Sequence, residues 1–346
     1  MFNRLTDELL RSDPEVQLRQ FKRTKNFLVA IDTDGCITDN MNGKQMLIFH
    51  PHFMEFYNLW GIESFFREVA EYYNLFSIDR GCNRFVAISL TLKALSSRPD
   101  VKKILKLEKI FLPDFLLVDS FINFSKSSKI GLGNPALEKY IELNPANFSL
   151  YKLLAWSEAV NRTFPYISAK IPPFDNVKEN LEAVSKFADI IVVSKTPYVD
   201  LVNYWENYGI AGYVKAIAGQ EMGSKSYHIN MVKKAGSYND NHVLMIGDGN
   251  GDLRAVKENN GLFYPIKPGS EQEDWYSFPD AFNNFISEKY QADYENSLLE
   301  KFKFSLLTEP QWGKPGYNHE NAYREKQEIR KNLYASLNPA GRLLIY

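Results

Sequence analysis

The chain has 346 residues, 45% hydrophobic and 24% charged, an ordinary globular balance that excludes an intrinsically disordered chain. Forty-one basic side chains against 42 acidic ones leave a formal charge of −1, which argues against a nucleic-acid partner held by bulk positive charge. Two cysteines, Cys36 and Cys82, are too few for a disulfide framework, and the length suggests two domains or one domain with a large insertion.

The N-terminal MFNRLTDELLRSDPEV mixes acids and bases and has no apolar run that would serve as a targeting segment. The greasiest stretch, Lys109 to Ser120, is interrupted by Pro113 and Asp114, far short of the roughly 20 apolar residues a spanning helix needs. A cytoplasmic protein with no membrane partner is the expectation. The 20 Tyr, 24 Phe and 5 Trp read as a bulky core, because aromatic side chains bury the most area per residue.

Phe27–Ile31 (FLVAI) is the first strand, short and wholly apolar, as suits a parallel strand buried on both faces. After it, Asp39–Phe49 contains Asn42-Gly43 and predicts a hairpin. Phe53–Phe76 and Arg84–Ser96 predict helices rich in aromatic and aliphatic residues. From Asn176 the pattern alternates. Helices are predicted at Asn176–Phe187, Val199–Tyr208, Ser224–Ala235 and Asp252–Asn259, and strands at Ile190–Val193, Val214–Ala218 and Val243–Ile246. Leu262–Ile266 carries Pro265 and predicts an edge strand. Alternation of this kind specifies an α/β protein, a Rossmann-like parallel sheet with helices on both faces. The first strand joins that sheet only if the intervening chain is an insertion. The predicted division is a core of residues 1–35 and 172–290, an inserted, mostly helical domain of residues 36–171 closed by Pro172-Pro173, and a C-terminal extension of residues 291–346. The extension holds the loop-like EPQWGKPGYNHEN and a charged helix, Ala322–Leu337.

Parallel strands deliver their functional groups at their C-terminal ends. The first ends in Asp32-Thr33-Asp34-Gly35, the second in Ser194, and the fourth in Gly247-Asp248-Gly249-Asn250-Gly251-Asp252, while Lys225 opens the helix before the fourth. Converging carboxylates repel one another, and a divalent cation such as Mg²⁺, held by one or two carboxylates and a substrate phosphate, removes the conflict. Asp32 and Asp248 would fill the carboxylate positions. The other oxygen of Asp32 would attack phosphorus. Asp34 would protonate the leaving alkoxide and then activate water, and Ser194 and Lys225 would hold the equatorial oxygens.

The set resembles the haloacid dehalogenase superfamily, most of whose members are phosphatases or phosphotransferases. The motifs that carry the resemblance are LVAIDTDGCITD (Leu28–Asp39), IIVVS (Ile190–Ser194), Lys225 and VLMIGDGNGD (Val243–Asp252). The resemblance implies that Asp32 is the nucleophile and Asp34 the acid/base, with Ser194 and Lys225 binding phosphate. It implies Mg²⁺ on Asp32, the backbone carbonyl of Asp34 and Asp248, with Asp252 supporting Lys225 or a metal-bound water. The second aspartate favours phosphate esters over carbon–halogen bonds. The insertion occupies the position of a type 1 cap, larger than an ordinary one, and is expected to close over the site as a mobile lid. The activity implied is hydrolysis of a small-molecule phosphate monoester. A phosphomutase or phosphotransferase would use the same nucleophile, and a non-catalytic protein of this fold is the alternative of another class.

Simpler readings compete at each position. A calcium loop needs glycine sixth and glutamate twelfth; counted from Asp32 these are Ile37 and Gly43, and neither fits. The glycines around Asp248 lack the spacing of a nucleotide loop and read as turn residues. His50-Pro51-His52 lacks a third ligand, and Cys36 reads as a small apolar filler. Arg80 and Arg84, flanking Gly81, are candidates for clamping an anionic substrate, as is Lys195 beside Ser194.

Overall fold

The computed structural model describes residues 2–128 and 130–337, so the last part of the predicted extension, residues 338–346, lies outside the described residues. The chain forms two compact units, one of Met1–Met41 with Ile171–Leu306 and the other of Asn42–Lys170 with the chain from Leu307 onward.

The first unit is built on a five-stranded, wholly parallel sheet. Its strands are β1 (Phe27–Ile31), β2 (Ala188–Val193), β3 (Ala216–Ala218), β4 (Val243–Gly247) and β5 (Leu262–Pro265), in the order β3-β2-β1-β4-β5. Val29 lies opposite Ile190 on one side and Leu244 on the other. These runs are apolar at nearly every position because both faces of the sheet are covered, and their side chains are buried throughout apart from Phe27, which is partly buried. Pro265 closes the edge strand, where a missing N–H breaks no ladder. The predicted helices of this half are present, at Val177–Ser185, Tyr198–Asn207, Lys225–Gly236 and Asn250–Lys257. The fold is thus α/β with a Rossmann-like core. Strand order reverses at β1/β4, which is where such sheets open a crevice beyond the strand ends.

The insertion leaves and rejoins this unit at neighbouring points. Thr38 forms an isolated bridge with Pro173, and Ile37 O accepts the amide of Phe174 at 2.8 Å. The helix Asp293–Ser305 also belongs here. It packs on β5, with the Phe302 ring 5.5 Å from Phe263 and Glu295 paired to Lys257 at 2.7 Å.

The second unit is helical and has its own aromatic core. Phe53 stacks on Phe66 at 5.5 Å and meets Trp156 edge-on at 5.1 Å, while Phe85 meets Phe121 at 5.0 Å. The buried Trp156 ring donates its N–H to Phe49 O at 3.2 Å, so its one polar atom is satisfied. Two expectations are corrected here. Asp39–Phe49 is not a hairpin but a short helix, Asn40–Lys44, running into a π-helix, Gln45–Phe49. Neither Asn42 nor Gly43 takes the positive φ of a tight hairpin turn; burial of Met46, Ile48 and Phe49 in the helical unit outweighs the local turn preference. Phe53–Phe76 is not one helix: Asn58 sits in the left-handed region (φ 53°) and ends the first piece, Glu63–Glu71 follows, and a π-helix at Tyr72–Phe76 closes the run.

The chain from Leu307 returns to this unit rather than standing apart. Leu307 bridges Ser77, and in the helix His319–Leu337 Arg330 pairs with buried Glu71 at 2.5 Å. No helix among the described residues is long and apolar enough to cross a membrane.

Candidate active site

The site lies in the first unit, beyond the C-terminal ends of β1 and β4. Asp32 directly follows β1 and continues its ladder, donating its amide to Ile246 O at 3.0 Å. Its carboxylate is placed by two donors, the Thr33 amide on Oδ1 at 2.7 Å and the Lys225 ammonium on Oδ2 at 2.5 Å. Beyond Asp34 the chain turns sharply at Gly35, whose φ of 78° favours a residue without Cβ, and the Gly35 amide reaches Thr38 O at 2.8 Å.

Lys225 is the first residue of its helix, capped by the Ser224 hydroxyl, which accepts the amide of Tyr227 at 3.2 Å. The ammonium also reaches Asp252 Oδ1 at 2.6 Å. Asp252 lies in the first turn of Asn250–Lys257 and returns Oδ2 to the Gly249 amide at 3.1 Å, so both its oxygens carry bonds. This geometry requires Gly247, because a Cβ there would sit 2.4 Å from the Cβ of Asp252. Glycine ends β4 so that the aspartate can fold back over the strand.

Asp32, Asp248 and Asp252 are all buried, and each offers an oxygen within 4.8 Å of the others. Burial pushes the Asp32 carboxyl up to about 7 from an ordinary 3.8; the charges of Asp252 and Asp248 add to that, while Lys225 opposes it. Burial disfavours the Lys225 charge, but Asp252 and Asp32 outweigh it and hold the ammonium firmly protonated. Three carboxylates beside one ammonium leave the cluster net negative. Hard oxygen donors with excess negative charge are the donor set that suits a divalent cation such as Mg²⁺.

The other predicted residues fall as follows. Ser194 is buried at the end of β2; its amide donates to Ala218 O at 3.0 Å and its hydroxyl accepts the Thr196 amide at 3.2 Å. Asp34 Oδ2 accepts the Thr196 hydroxyl at 2.7 Å. Lys195 is exposed, with its ammonium 3.9 Å from where a Cβ on Gly251 would stand. Arg80 and Arg84 belong to the helical unit. Arg80 donates to Leu75 O at 2.8 Å, and Arg84 donates to Ser157 O and Oγ at 3.1 and 3.0 Å while lying 4.9 Å over the Phe49 ring. His50 is buried against Phe66 and kept neutral by burial, whereas His52 contacts Thr163 at 2.9 Å; the two imidazoles serve different neighbours. Cys36 is buried and its thiol is pushed well up by burial, with Asp32 adding to the effect, which makes it an inert filler.

Sequence reasoning passed over Thr196, Thr33 and Trp205. The Trp205 ring N–H donates to the Thr33 hydroxyl at 3.1 Å, fastening the turn after the first aspartate. A hydroxyl two residues beyond the strand-end serine was the available signal for Thr196.

Paired aspartates follow β1, a buried serine ends β2, a helix-initial lysine reaches back to the first aspartate, and an acidic loop follows β4. The core is a Rossmann-like α/β fold that brings these groups to one edge of its parallel sheet. Among solved structures, the chain is similar to a haloacid dehalogenase-like family hydrolase from Xanthomonas campestris, with a TM-score of 0.40 at 12% identity, covering 77% of this chain and 99% of that one. It is similar to a haloacid dehalogenase-like family hydrolase from Streptococcus pneumoniae, with a TM-score of 0.38 at 14% identity, covering 80% and 98%. A magnesium-bound HAD-hydrolase from Bacillus subtilis gives a TM-score of 0.36 at 12% identity, covering 69% and 88%. No protein-family model matches the sequence, and no curated protein matches it.

Proposed function

We propose that the chain is a Mg²⁺-dependent phosphatase of the haloacid dehalogenase superfamily, hydrolysing a small-molecule phosphate monoester through phospho-Asp32. The observation that supports this reading is the Lys225 ammonium, held between Asp32 and Asp252 beside Asp248 at the ends of adjacent strands. Asp32, Asp248 and the carbonyl of Asp34 would hold the cation, which when bound neutralises phosphoryl charge against the carboxylates. Asp252, bonded to the Lys225 ammonium and to the Gly249 amide, would support Lys225 or a metal-bound water.

In the first step an oxygen of Asp32 attacks phosphorus, the ester P–O bond breaks, and the alkoxide takes a proton from Asp34. In the second, a water oxygen attacks phosphorus while its proton passes to Asp34, and the Asp32 carboxylate departs. Ser194 and Lys225 donate to the equatorial oxygens, where negative charge is concentrated.

A panel of sugar phosphates, nucleotides, phosphoglycolate and an aryl phosphate, assayed with Mg²⁺ and with EDTA, tests the reading. Metal-dependent phosphate release, abolished by Asp32→Asn in a folded protein, is expected. Release from none of them points to a non-catalytic protein of this fold. Phosphorus NMR showing an isomeric ester in place of inorganic phosphate reassigns the chain as a mutase.

A further inference from the structure

Thr196 has no part in the scheme above, yet all three of its polar groups are committed around the site. Its hydroxyl donates to Asp34 Oδ2 at 2.7 Å, its amide to Ser194 Oγ at 3.2 Å, and its carbonyl accepts the Gln220 amide at 3.1 Å. The residue is buried, and the turn carrying it is pinned from beneath. The Tyr198 amide donates to Glu221 Oε2 at 3.0 Å, placing a carboxylate at the start of the helix Tyr198–Asn207. Gly219 packs so closely that a Cβ there would sit 2.5 Å from the Tyr198 nitrogen. A hydroxyl on so fixed a turn defines the orientation of whatever it bonds.

We infer that Thr196 is a positioning residue for the acid/base step: its hydroxyl, bonded to Oδ2, fixes the orientation in which the Asp34 carboxyl exchanges a proton with the leaving group and then with water. The inference rests on the proposed hydrolase reading of Asp34. A carboxyl that rotates freely spends only part of its time aimed at the departing oxygen, and a general acid contributes about 10²–10⁴-fold only when aimed.

The test exploits leaving-group basicity. A 4-nitrophenolate leaves without a proton, whereas an alkoxide needs one, and kcat/KM reports the chemistry up to formation of phospho-Asp32. Thr196→Val removes the hydroxyl at nearly constant shape, and Thr196→Ser keeps it. For an alkyl phosphate that the wild type hydrolyses, Thr196→Val should lower kcat/KM by about 10- to 100-fold. For 4-nitrophenyl phosphate the loss should stay within about threefold, and Thr196→Ser should stay near wild type on both substrates. In an Asp34→Asn background, Thr196→Val should cost nothing further on the alkyl ester, because a residue acting through Asp34 has nothing left to position. Equal losses on both esters, or a full additional loss in the Asp34→Asn background, overturn the inference and assign Thr196 to the Ser194 turn. No loss on either ester also overturns it. Should Thr196→Val not fold, Thr196→Ser against Thr196→Ala carries the same comparison. If the wild type hydrolyses neither ester, the phosphatase reading itself fails, which separates that failure from the loss of this role alone.

Discussion

Asp32→Asn should make the metal-free protein more stable while removing its activity, because the candidate nucleophile sits where a charge is costly. The Asp32 side chain is 7% exposed, with Asp248 and Asp252 close by, and its pKa rises from 3.8 to about 7 even with Lys225 at 2.5 Å. For an acid whose folded pKa is raised, the associated stability is fully present below the unfolded value and lost as pH rises through the folded one. At roughly 1.4 kcal/mol per pKa unit, a shift of that size costs the ionised protein about 4 kcal/mol above pH 7. The amide never ionises, and its oxygen still accepts from Lys225. In EDTA, urea unfolding should therefore show the variant ahead at pH 8, by on the order of a few kcal/mol, with a smaller gap at pH 5.5. Added Mg²⁺ should narrow the gap at pH 8, since a cation bound to the native wild type stabilises it by mass action. A variant less stable than wild type at pH 8, or a gap that does not change with pH, would refute the account of a destabilised nucleophile.

Two further predictions concern a buried carboxylate at the start of β2 and the glycine that ends β4. Asp189 in β2 is buried and accepts from the Thr24 amide at 2.7 Å, the Thr24 hydroxyl, the Lys25 amide at 3.0 Å and the Tyr238 hydroxyl. Burial alone would raise its pKa, but the bonds from Thr24 and Tyr238 outweigh it and hold the carboxyl below its ordinary range. Asp189→Ala strands these donors and should cost about 3–5 kcal/mol in equilibrium unfolding. The sign is opposite to that of Asp32: this contribution is present above the unfolded pKa and disappears as pH falls through the lower folded one, so the deficit of the variant should shrink in acid. Gly247→Ala forces a Cβ to within 2.4 Å of the Asp252 Cβ. It should destabilise by about 1–3 kcal/mol and lower the proposed phosphatase turnover by shifting the partner of Lys225, whereas unchanged stability and turnover would mean the loop yields freely.

The sequence by itself determined the sheet and the order of its polar ends. FLVAI, IIVV and VLMI are short, continuous apolar runs, a pattern that suits strands buried on both faces, and parallel pairing places the residues that follow them along one edge. Asp32, Ser194 and Asp248 are thus legible in the sequence as residues of one sheet edge, and Lys225 as a residue that opens a helix. What escaped depended on distances between residues far apart in the chain. The bond from Thr196 to Asp34 joins residues 162 positions apart, and a hydroxyl two residues beyond the strand-end serine does not by itself reveal that partner. Gly247 reads as a turn glycine until Asp252 is seen folded over it. Asn42-Gly43 carries a genuine hairpin preference, but only a fraction of the free energy gained by burying Ile48 and Phe49 in the helical core, so tertiary packing made it helical. The extension from residue 291 likewise reads as an appendage of unknown purpose; from Leu307 it joins the helical unit, where Arg330 supplies the counter-charge to the buried Glu71 carboxylate, 259 positions away. Backbone periodicity is a local property and can be read from neighbours in sequence, whereas a buried charge or a close approach is settled by whichever distant side chain the completed fold brings to it.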